Sequence, residues 1–158
     1  MITGILLASA LTFSVPEDIS TDFKSYMDYR CITCETSPQY KLQQYAWTDE
    51  NGLRKVDDYY LVAMGSYYSS TVGDCFKITL DTGETFNVMI GDCKADKDTD
   101  SQHMYHPMRD GGGNVLEFIV DTRKLPREVR LMGTVSSIDI FEGDIESIEQ
   151  ITYQEKGY

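Results

Sequence analysis

Asp92 closes the stretch VMIGD, in which Val88 and Ile90 alternate as the buried side of a strand would. It stands two places further along the same alternation, so residues 86, 88, 90 and 92 are expected to share one face. A carboxyl among apolar neighbours loses hydration and can hold a proton near neutral pH. A general acid that protonates a glycosidic oxygen needs that property. An Asp that merely caps the following turn is the alternative, and the sequence leaves both open.

Companions follow closely. Asp96, Asp98 and Asp100 recur at every second position, which would line them along one side of an extended segment, and His103 and His106 are the only histidines. The pattern fails as a calcium loop, because Ser101 occupies the sharp-turn glycine position and Pro107 that of the bidentate glutamate. A zinc site of histidine and carboxylate is the weaker alternative to a solvated acidic loop, so no metal and no cofactor is assigned. Tyr67 and Tyr68, just after Gly65, offer faces on which a sugar could stack. Gly111–Gly113 follows no strand and opens no helix, which excludes a phosphate cradle of the dinucleotide type, and no nucleophile elbow occurs.

Four cysteines are present, and CITC (Cys31 and Cys34) has the spacing of a redox or zinc pair. Cys75 and Cys93 stand alone and complete no second metal-binding pair. No α/β frame for a thioredoxin-like motif is legible around Cys31, so free or structurally paired thiols are expected.

The elements that must position these residues belong to a 158-residue chain with 14 basic and 26 acidic residues, a formal net charge of −12. That charge repels nucleic-acid phosphates, and the most basic cluster, RKLPREVR, is interrupted, so no nucleic-acid binding is expected. The opening MITGILLASALTFSV is apolar, lacks a preceding Lys or Arg, and is too short for a membrane span. It reads either as a signal peptide or as a docking arm. Residues 1–58 are read as an N-terminal arm and extension, and residues 59–158 as the domain proper.

Within that domain CFKITL-DTG-ETFNVMIGD is the clearest hairpin. With Asp81, Thr82 and Gly83 as a three-residue loop, Gly83 takes the left-handed position and Leu80 pairs with Glu84. Ile78 then faces Phe86, Phe76 faces Val88 and Asp74 faces Ile90, which leaves Lys77, Thr79, Thr85 and Asn87 on the other side. Short strands, eleven tyrosines and glycine turns predict a mainly β fold, a small barrel in preference to a sandwich, with an N-terminal extension and short helical segments.

The run YYLVAMGSYYSSTVGDCFKITLDTGETFNVMIGDC, with the later VLEFIVDTRKL, resembles the double-psi β-barrel proteins, the class that includes RlpA-like, expansin-like and 3D-domain proteins. From about Phe23 onward the chain also resembles an uncharacterised group from Gram-positive gut bacteria and their phages. The barrel resemblance implies a small six-stranded double-psi-like β-barrel and a role on cell-wall polysaccharide, with Asp92 as the acid and Asp121 as the possible second carboxylate. DCKADKD stands where the 3D domain continues differently, and the His-Phe-Asp of expansins is absent.

Two functions are expected from these features. In the first, the protein cleaves peptidoglycan glycan strands, either by hydrolysis or by internal transfer to an anhydro sugar. Asp92 protonates the leaving oxygen, Asp121 or one of Asp96, Asp98 and Asp100 stabilises charge or activates water, and Tyr67, Tyr68 and His103 contact substrate. In the second, the chain is a non-catalytic part of a phage virion or tail, or a wall-binding module. Residues 1–15 would then dock it on a partner or a second copy. Both place it outside the cytoplasm or in a virion, with wall polysaccharide or a protein assembly as partner.

Overall fold

The structure, a computed structural model, describes residues 11–156. The choice between signal peptide and docking arm therefore falls mostly outside the described residues, which include only 11–15 of that stretch.

The fold is mainly β. Strands β1 (Leu11–Phe13), β2 (Ser25–Asp28), β3 (Trp47–Thr48), β4 (Arg54–Val56), β5 (Tyr59–Met64), β6 (Cys75–Leu80), β7 (Thr85–Cys93), β10 (Glu117–Val120) and β11 (Ile145–Ile151) make one sheet. Two residue pairs, β8 (His106–Pro107) and β9 (Gly113–Asn114), make a small second sheet. The helices are one turn and a half each, α1 (Pro38–Gln43) and α2 (Arg127–Met132). Neither they nor any other described helix is long and apolar enough to cross a membrane.

The main sheet runs β1-β11-β6-β7-β5-β10-β2, with β4 and β3 attached beside β5. Residues before 59 thus supply four strands to the same sheet as those after it. Most pairs are antiparallel, but β5 runs parallel to β7 and β10 parallel to β2. The β6–β7 hairpin has the register expected from its turn: Ile78 opposite Phe86 and Phe76 opposite Val88, with Gly83 at φ 91° and Leu80 N donating to Glu84 O at 2.9 Å.

Among the described residues no backbone ladder closes this sheet into a barrel. Its flanks are joined instead by side chains. Just before β2, the Thr21 hydroxyl accepts from Ile145 N at 2.7 Å and the Asp22 carboxylate accepts from Gly143 N at 2.7 Å. Asp144 returns the contact by accepting from Thr21 N at 2.7 Å.

Both faces of the central strands are covered, which is why YYLVAM reads as a nearly continuous apolar run. On β5, Val62 and Met64 join the main core with Phe76, Ile78, Val88 and Phe118, whereas Tyr59 and Leu61 point to a smaller core with Cys75, Met89 and Ile119. The segment from Met27 to Ala46 lies over that second core, where Met27, Tyr29, Ile32 and Leu42 pack on it. Buried Arg54 fastens the segment. Its guanidinium donates to Gln43 Oε1 at 3.0 Å and to Gln43 O at 2.9 Å, and stands 4.4 Å from the centre of the Tyr29 ring.

Candidate functional site

Asp92 does not share the face of Phe86, Val88 and Ile90. Along the parallel pair, Val62 is opposite Ile90, yet the next residue, Ala63, is opposite Asp92, and Met64 is opposite Cys93. Gly91 is the extra residue of a bulge, and one extra residue inverts the alternation beyond it. Cys93 consequently packs against the main core, and Asp92 turns to the opposite face. There Asp92 Oδ1 accepts from Cys93 N at 2.9 Å and from Gln39 Nε2 at 3.4 Å. It lines a shallow cavity of about 260 Å³ with Met27, Cys31, Ile32, Cys34 and Ser37. A Cβ at 91 would lie 2.7 Å from Ile119 Cδ1 and 3.3 Å from Leu61 Cβ, so any larger residue there requires the Ile119 side chain to shift.

Asp121 has a different occupation. It is 4 % exposed, and it caps the 3-10 turn Thr122–Lys124 by accepting from Arg123 N at 3.1 Å. The Arg123 guanidinium grips both its oxygens, at 2.9 and 2.8 Å, and holds the carboxyl below the usual range. It does not line the cavity that holds Asp92.

The acidic run is not extended, so its carboxylates part company. Asp96–Asp98 is a 3-10 turn. Asp96 accepts from Ser66 Oγ at 2.6 Å and stands 3.8 Å from His103 Nδ1, which contacts Thr99 Oγ1 at 2.9 Å. Asp98 faces another cavity. Asp100 organises the loop that follows, accepting from Gln102 N at 3.0 Å, Met104 N at 2.7 Å and Tyr105 N at 3.0 Å. Partial burial by itself raises this carboxyl, but the three main-chain donors outweigh it and leave it below the usual range. His103, at φ 60°, turns the loop so that its carbonyl accepts from Tyr67 N at 3.2 Å.

That contact brings Tyr67 beside Asp100. Tyr67 is 39 % exposed and meets the rings of Phe13 at 6.0 Å and Tyr68 at 5.0 Å edge-on. Tyr68 is buried and donates to Ser14 O at 3.1 Å, so it supports the surface rather than forming it. Between residues 14–17 and the 100–105 loop lies a cleft of about 490 Å³, lined by Glu17, Tyr67, Asp100, Gln102 and Tyr105 among others. Sequence reasoning found Tyr67 and Asp100 but missed Glu17, Gln102 and Tyr105. Gln102 and Tyr105 come with the loop that Asp100 organises, and the docking of residues 14–17 adds Glu17.

A second cavity, about 450 Å³, opens where β7 ends, lined by Phe23, Ser25, Lys94, Asp98, His106 and Glu117 among others. Ser25 Oγ donates to Glu117 Oε2 at 2.8 Å and accepts from Asn114 Nδ2 at 2.6 Å. Burial pushes the Lys94 ammonium below its usual range, against the pull of Glu117. Of this lining the sequence had singled out Asp98 and His106 but not Lys94, Ser25 or Glu117, and Ser25 meets Glu117 only through β2–β10 pairing.

Among the described residues no three His, Cys, Asp or Glu side chains are grouped to hold a metal ion. No family model, no curated protein and no solved structure matches the chain.

Proposed function

We propose that the chain is a cell-wall-associated module, extracytoplasmic or virion-borne, that binds wall polysaccharide without cutting it. The reading includes a barrel of the double-psi kind, built from the six consecutively paired strands β11, β6, β7, β5, β10 and β2. The observation that carries it is the cleft between residues 14–17 and 100–105, where the exposed Tyr67 ring stands next to Tyr105 and the polar Glu17 and Gln102. A phenol ring beside side-chain acceptors and donors suits a pyranose, which has an apolar face and a hydroxyl rim. Binding is favoured over hydrolysis because that reaction needs two carboxyl groups flanking one bond, while cleavage by internal transfer to an anhydro sugar, with Asp92 as sole acid, is the outcome the Asp92→Asn comparison tests. Asp92 and Asp121 occupy different surroundings, and Arg123 already claims the second.

The test is sedimentation with purified, insoluble peptidoglycan, combined with chromatography of the supernatant for released fragments. Wild type is expected to pellet and to release nothing, and Tyr67→Ala to stay in solution. Fragment release that Asp92→Asn abolishes would restore the enzyme reading.

A second reading rests on a separate observation. Strand β1 pairs only with β11 among the described residues, and Leu11 at its start is 59 % exposed. An unpaired strand edge is a template for another chain. Residues 1–10 would lead into such a contact with a virion partner or a second copy. Deleting 1–10 leaves β1 in place and should lower the assembled mass seen by light scattering.

A further inference from the structure

The cavity that received Asp92 contains the two cysteines that the cleft does not use. The geometry points to Cys31 and Cys34 as a dithiol–disulfide couple that exchanges with external disulfides, Cys34 attacking and Cys31 resolving. The inference is independent of the glycan reading.

Both thiols are exposed, and both line the same shallow cavity with Met27, Ile32, Ser37 and Asp92. Their backbones are fixed on either side. Cys31 ends the 3-10 turn Tyr29–Cys31, which Asp28 caps through Arg30 N and which closes with Ile32 N donating to Tyr29 O at 3.1 Å. The Cys34 carbonyl accepts from both Ser37 N at 2.9 Å and Ser37 Oγ at 2.7 Å, and Ser37 in turn caps α1. Between them Ile32 is anchored on the smaller core, so the two sulfurs are carried on one braced bend between β2 and α1. The fold remains mainly β, and the two cysteines lie between β2 and α1, Cys31 at the end of the intervening 3-10 turn and Cys34 three residues before the Ser37 cap.

The two ends of the couple differ. Cys34 Sγ contacts Thr36 Oγ1 at 3.5 Å, and this hydroxyl, with main-chain donors, pulls the thiol below its ordinary range. The thiolate is the attacking form. The other cysteines do not compete: Cys75 is buried and pushed up to about 12, and burial also raises half-buried Cys93. In the forward step the Cys34 thiolate attacks one sulfur of a disulfide R–S–S–R′. The S–S bond breaks, a Cys34–S–R bond forms, and R′–S⁻ leaves to take a proton from water. Cys31, after losing its proton to water, attacks the Cys34 sulfur, forms the Cys31–Cys34 bond and expels R–S⁻. The couple gives up two electrons, and the substrate disulfide becomes two thiols.

The experiment equilibrates the full chain in buffers of reduced and oxidised glutathione, traps thiols by alkylation and reads them by mass spectrometry. A second arm replaces oxidised glutathione with insulin, to separate small from protein disulfides. The expected result is a reversible two-electron transition confined to Cys31 and Cys34. In addition, Cys34 in Cys31→Ser should be alkylated at neutral pH at least about threefold faster than Cys31 in Cys34→Ser. Exchange with neither disulfide, a bond that excess reduced glutathione cannot open, or equal alkylation rates in the two variants would overturn the proposal. Circular dichroism on both Ser variants confirms that the fold is intact.

Discussion

Lys24 Nζ donates to the carbonyl oxygen of Gly143 at 2.8 Å from a fully buried position, and so ties the flank of β2 to the flank of β11. Its other acceptor is Asp22 O at 2.9 Å. Desolvation lowers its pKa from 10.5 to about 8, although the carboxylates of Asp22, Asp144 and Asp81 pull the other way. Below pH 8 both folded and unfolded chains hold this proton. Between 8 and 10.5 the unfolded chain holds more, so the Lys24 contribution to stability rises with pH through that window. Cys75 and Tyr68, whose burial raises them, oppose this. The difference between wild type and Lys24→Met isolates it, and should move by roughly 2 kcal/mol in favour of wild type from pH 7 to 10. Urea unfolding at the two pH values measures it, and a difference independent of pH would refute the assignment.

Gly91→Ala forces a methyl group against Ile119 and Leu61 at the bulge. The expected cost is about 1–3 kcal/mol, read as a lower urea midpoint with unchanged slope. An unchanged midpoint would mean that the bulge has room the packing does not show.

Gly65→Ala places a Cβ 2.0 Å from the carbonyl oxygen of His103, a main-chain atom that cannot swing aside. The 100–105 loop must move, so peptidoglycan sedimentation should fall along with stability. Asp100→Ala should act on the same loop by leaving three N–H groups without their acceptor, at about 1–3 kcal/mol.

Tyr67→Ala should abolish sedimentation with wall material while lowering stability by only about 1 kcal/mol, the worth of its edge-on ring contacts. Equal sedimentation by wild type and variant would remove the cleft from the proposal.

Acid should destabilise the fold through Asp28. Hydrogen bonds from Arg30, foremost, and from Thr122 hold its carboxyl far below the ordinary value of 3.8. A depressed folded pKa gives stability that is present above the unfolded value and lost as pH falls below it. Asp49, raised by burial, works in the opposite direction. Asp28→Asn should therefore lose stability less steeply than wild type between pH 4 and pH 2, as followed by thermal melts.

The hairpin was legible because two independent signals agree in it: Gly83 demands a left-handed turn, and the turn sets the register that puts Ile78 and Phe86 together. The fate of Asp92 was not legible, because Gly91 inside VMIGDC reads equally as a strand residue and as a bulge. What decides is the spacing of β5 opposite it. Asp121 directly follows β10, and Arg123 two residues on makes it a cap. The sites whose partners lie far apart in sequence, Tyr67 with Glu17 or Ser25 with Glu117, left no local mark at all.

The fastening between residues 20–24 and 143–145 has a mechanical corollary. Rungs of a β-ladder reinforce one another, whereas here a few side chains each hold a separate point. They act together with the core that Phe118 and Phe141 share at 4.9 Å and with the main-chain bond from Val135 N to Lys24 O. Rigidity of the whole can accordingly be tuned at Thr21, Asp22 and Lys24 without rewriting a single strand.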